Sequence, residues 1–93
     1  MAVDAVETWR TCFQQWPAEI ERRGVLVTSF GEQILFDNFA ISENMLLIER
    51  KAPDTVGARL VLVALGTIQA VKIIDVVKIK VFQSMGFVVT PHK

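Results

Sequence analysis

The chain has no tyrosine, one histidine, one cysteine and no excess charge of either sign. Each scarcity removes a class of function. A single cysteine, Cys12, excludes an intramolecular disulfide and has no CxxC partner, so a reducing interior such as the cytoplasm is the simplest location. It reads as a small buried hydrophobe on a helix rather than as a reactive thiol. The lone histidine, His92, is the penultimate residue, where neither catalysis nor metal ligation has a fixed geometry to work in. Ten Lys+Arg balance ten Asp+Glu. A free-standing duplex-DNA binder neutralises phosphates with a basic excess, so double-stranded DNA is not an expected partner. Local basic patches remain at Arg22-Arg23 and at Lys72, Lys78 and Lys80. No apolar run approaches the ~20 residues of a membrane span, and MAVDAVETWR lacks the basic start and apolar core of a signal peptide. No membrane association is expected.

Catalytic motifs are missing too. There is no GxGxxG, P-loop, HExxH or GxSxG. Glu32, Asp37, Glu43, Glu49 and Asp54 sit mostly at turns or strand ends, and no two have a spacing that demands an acid/base pair. Ser29, Ser42 and Ser84 have no triad context. The chain reads as a non-enzyme without cofactor or metal.

What is present is apolar residues, at 52% of the chain with a mean hydropathy of +0.39. Ninety-three residues make one small domain, 1–93. A chain this short buries only about two-thirds of its unfolded surface. The apolar surplus therefore predicts burial against copies of itself, as a homo-oligomer.

Residues 1–23 read as an N-terminal helix. Asp4 is the N-cap, with Glu7 three residues on. Val6, Trp9, Phe13, Trp16 and Ile20 make one face. That stripe fits a face packed on the domain; a stacking platform for bases is the alternative. Pro17 predicts a kink, or a break with Pro17 starting a second short helix, and Arg22, Arg23 and Gly24 suit a C-terminus.

Residues 24–75 are a strand block. Val25–Ser29, Ile34–Ile41, Met45–Arg50, Arg59–Leu65 and Ile68–Ile74 read as five strands. The apolar parity switches across Asp37-Asn38, which predicts a bend. A meander this apolar leaves costly edges unless it closes. The expected fold is mainly β with helices: a five-stranded SH3-like or Sm-like small barrel carrying the N-terminal helix. The competing reading is an open antiparallel sheet with helices on one face. In the tail, 76–93, the pattern fits strand or helix; Asp75 as N-cap and Gly86 as stop favour a helix, with Phe87–Thr90 extended and Pro91-His92-Lys93 fraying.

The strand block resembles the Sm/LSm family, the small RNA-associated barrels. Phe39-Ala40-Ile41-Ser42-Glu43-Asn44-Met45-Leu46-Leu47 has the outline of the family's first motif, with Phe39 at its aromatic and Asn44 at its Asn. Gly31 falls at the first hairpin turn, and Val61–Val71 resembles the second motif: strand, very short turn, final strand. Ala40 replaces the usual acidic residue, and Ala64-Leu65 replaces the Arg-Gly of the nucleotide pocket. The resemblance implies a ring in which the fourth strand of one copy pairs with the fifth of its neighbour. Leu60, Leu62, Ala64, Ile68, Ala70, Val71 and Ile73 would form that contact. It also implies RNA or single-stranded nucleic acid as a partner, with Phe39 and Asn44 at the base and Lys72 at phosphate. The competing expectation is a structural or protein-interaction module that keeps the assembly without the pocket. The replaced pocket residues and zero net charge favour it; Asn44 favours RNA. A third, a pocket for a small apolar ligand, leaves no mark on the sequence.

Overall fold

The computed structural model of the protein describes residues 4–90. Helix α1 spans Ala5–Gln14. Asp4 caps it, its Oδ1 accepting from the Val6 N–H at 2.9 Å, and Glu7 adds a negative charge in the first turn. The helix stops well short of Arg23. Proline has no N–H to donate, and it pushes the residue before it out of helical geometry. The break at Pro17 is accordingly complete: Pro17 to Ile20 close one turn, Ile20 N–H to Pro17 O at 3.1 Å, and no second helix forms there.

Six strands follow: β1 (Gly24–Thr28), β2 (Gln33–Phe36), β3 (Asn38–Ile41), β4 (Met45–Glu49), β5 (Leu60–Ala64) and β6 (Ile68–Lys72). They form two three-stranded antiparallel sheets, β2-β1-β6 and β3-β4-β5. The expected closed five-stranded barrel is therefore not formed. Two local causes account for the difference. Ile34, Phe36 and Phe39 are all buried. A strand of period two cannot keep Phe36 and Phe39 on one face, so the chain turns over at Asp37 and one expected strand becomes two in different sheets. Second, β5 and β6 are joined by a 3-10 turn, Leu65–Thr67, that leads the chain away from β5 and onto β1. Leu65 is fully buried and donates to Asn44 O at 3.0 Å; Thr67 O accepts from Ser29 N–H at 2.7 Å. These anchors fix the redirection. The arrangement lies nearer the open-sheet alternative, with the strands divided between two sheets.

The core is Phe13 of α1 with Leu26, Ile34, Phe36, Phe39, Leu46, Ile48, Val63, Leu65 and Ile68. Each large apolar side chain so buried contributes about 1.5–3 kcal/mol. Helix α1 packs on β3 and on the turn Leu65–Thr67. Gly24 is required where β1 meets β6: a Cβ there would lie 2.6 Å from Lys72 O.

The tail holds a 3-10 helix, Ile79–Met85, not an α-helix begun at Asp75. Asp75 is occupied elsewhere. Its Oδ1 accepts from Arg23 Nε at 2.8 Å and its Oδ2 from the Glu21 N–H at 3.2 Å, so it cannot cap. Gly86 ends the helix in the left-handed region at φ 94°. Phe87 to Thr90 carry no strand pairing. His92 and the expected fraying of Pro91-His92-Lys93 lie outside the described residues.

Candidate assembly surface

The three residues expected at nucleic acid are not brought to one site. Phe39 is 4% exposed. Its ring is enclosed by Phe13 at 5.0 Å, Trp16 at 5.1 Å and Phe36 at 6.1 Å between centroids. The Arg22 guanidinium carbon sits 3.9 Å from its centroid, and Arg22 also donates to Asn38 Oδ1 at 3.2 Å and to Phe39 O. A base has no face of Phe39 left to stack on. Asn44 is exposed in the β3–β4 turn, where its carbonyl holds Leu65 N–H. Lys72 lies in the other sheet, its Nζ donating to Gln33 Oε1 across β1 at 3.2 Å.

The residues expected at a subunit contact divide by strand. On β5, Leu60 is 59% and Leu62 65% exposed, and Ala64 is exposed beside them. Alternation along β5 sends Val61 and Val63 inward and these three outward. In register with them on β4 stand Glu49, Leu47 and Met45, and Ala40 of β3 pairs with Leu47. The outer face of this sheet is thus a continuous apolar strip, Met45-Leu47-Leu62-Leu60 with Ala40 and Ala64. On β6 the picture differs. Ile68 is core, Val71 is half-buried and packs against the core, Ala70 is half-buried, and Ile73 follows the strand. These four offer backbone and not an apolar face. Each of β5 and β6 has one side without a strand partner among the described residues. Leu47 and Met45 were not expected at the contact; the alternation of MLLIE, with Leu46 and Ile48 inward, carried the signal.

Electrostatics at the surface are structural. The Asp75 carboxylate, by hydrogen bond and charge, holds the Arg23 guanidinium still more firmly protonated. Burial pushes the Cys12 thiol up from its ordinary value, favouring the neutral form. Among the described residues no three His, Cys, Asp or Glu side chains gather as metal ligands. No described helix is long and apolar enough to cross a membrane. No family model matches the chain, and no curated protein or solved structure matches it significantly.

Proposed function

We propose that the protein is a self-assembling interaction module, working in a reducing compartment such as the cytoplasm. The observation that carries this reading is the apolar outer strip of β5, with Leu60 and Leu62 both more than half exposed on a strand whose far edge has no strand partner among the described residues. An exposed, apolar, unpaired strand is a template for another chain. Among the described residues β6 is likewise an edge strand, and it is the partner this reading assigns to β5. Joining β5 of one copy to β6 of the next is a head-to-tail contact. Such contacts close into a ring when the rotation between copies allows it. This pairing mode is the one the Sm-like resemblance implies, and it needs no nucleotide pocket.

RNA binding is the second reading. It rests on the resemblance and on exposed Asn44 alone, because Phe39 is enclosed and Lys72 is engaged with Gln33. Light scattering with and without an oligo-U RNA separates the two. The interaction-module reading expects a multimeric mass unchanged by the RNA at low salt. A mass that rises by bound RNA restores the second reading, and a strict monomer overturns both.

A further inference from the structure

Beside the strand edges lies a chamber of about 220 Å³ between α1, β6 and the tail. Trp9 and Cys12 of α1, with Trp16 just beyond, line one side. Val71 and Ile73 line a second. Phe82, Met85 and Phe87 line the third. Local structure explains why the tail provides a wall. Gly86 in the left-handed region turns the chain after the 3-10 helix, Phe87 N–H bonds Phe82 O at 3.4 Å, and the two rings meet edge-on at 6.2 Å. The lining carries no carboxylate, ammonium or guanidinium. The Trp16 indole N–H is already donated to Ile20 O at 3.1 Å and Glu21 O at 3.2 Å. A charged molecule would lose its hydration here with nothing in exchange. An apolar one gains dispersion contacts with aromatic rings on both flanks.

The volume sets the size. A dry apolar cavity of about 150 Å³ accepts benzene, and this chamber is larger. A wider recess on the solvent side shares Trp9, Cys12, Met85 and Phe87 with it, which provides a path in. No tail residue from Ile79 to Met85 is fully buried, so this wall can shift to admit a molecule.

From these walls, this volume and this absence of charge, we infer that the chamber is a binding site for a small neutral aromatic molecule of one or two fused rings. The chamber shares Val71 and Ile73 with the β6 side of the proposed subunit contact, while Leu60 and Leu62 of β5 take no part in it.

Indole is the probe, with the zwitterion tryptophan as the charged control. Cys12 supplies the readout, because it lines both the chamber and the recess that opens onto it. A bound molecule shields it, and its alkylation by iodoacetamide slows by the factor 1 + [L]/Kd, about tenfold at ten times Kd. Indole is expected to slow the reaction saturably and tryptophan to leave it unchanged. Amide and indole N–H chemical shifts of Trp9 and Trp16 should move with the same midpoint. Met85→Trp fills the chamber from the exposed tail, and Phe82→Ala enlarges it; the first should abolish indole protection in a chain that still folds, and the second should change the midpoint. No saturable effect up to the solubility of indole, equal protection by tryptophan, or full protection in the Met85→Trp chain would each overturn the site. Because the readout is a thiol rate and not a mass, these outcomes leave the assembly proposal untouched.

Discussion

Phe39 carries two meanings. By alternation it is a core residue of a strand; by family outline it is an aromatic that meets a base. At 4% exposure among Phe13, Trp16 and Phe36 it is the first. Phe39→Ala should therefore cost about 3–5 kcal/mol of stability, the range for a buried phenylalanine, read as a lowered urea midpoint. A stacking residue at the surface would lose almost nothing. Asp54 is legible in a different way. Pro53-Asp54 is turn chemistry in the sequence, and Asp54 Oδ1 accepts from Val56 N–H at 2.9 Å and Ala58 N–H at 2.8 Å. Bonds to the Ala58 amide, then to Val56, hold its carboxyl below the ordinary aspartate range. A depressed carboxylate contributes order that is complete above its unfolded pKa and lost as pH falls through the lower folded value. Amide exchange at Val56 and Ala58 should thus stay slow at pH 5 and accelerate, beyond the intrinsic pH effect, only below the ordinary aspartate range. Asp54→Ala should show the fast loop at every pH. A loop indifferent to both changes would contradict the role given to this carboxylate.

At the scale of elements, most of the strand block was readable because short β-branched and apolar runs were punctuated by Gly31, Ser42-Glu43-Asn44 and Pro53-Asp54. The reversal at Asp37 was readable as a parity change. Its consequence, handing the chain from one sheet to another, depends on which strands pair, and pairing is a long-range fact that parity does not encode. The tail failed for a similar reason. Asp75 has the chemistry of a helix cap, but Arg23, fifty-two positions away, takes it. Gly24 shows the same limit. In sequence it is a helix stop; in the fold it lets Lys72 O approach β1. Gly24→Ala must push β6 away from β1, and should cost about 1–3 kcal/mol, the usual range for overpacking. The loss should be visible in thermal unfolding, with the slowed amides of Val25 and Leu26 exchanging faster. A neutral substitution would mean that the close approach is not maintained in solution.

The whole molecule exposes more than a free-standing chain of its mass should. At 10.4 kDa a folded monomer has about 5,400 Å² of accessible surface; this one has 6690 Å². Its radius of gyration, 14.1 Å, likewise exceeds the roughly 12 Å of a compact domain of this length. A standard interface removes about 800 Å² from each partner. That makes the strip on β5 the place where self-assembly is either true or false. The chain's mass by light scattering, measured for the parent, for Leu62→Lys and for Val56→Lys, decides it. Val56 is 87% exposed at a loop tip and controls for adding a charge to an exposed apolar site. Leu62 is 65% exposed, so lysine there leaves the core intact. The parent and Val56→Lys should share a multimeric mass while Leu62→Lys runs as a folded monomer. Equal masses for all three would contradict assembly through β5.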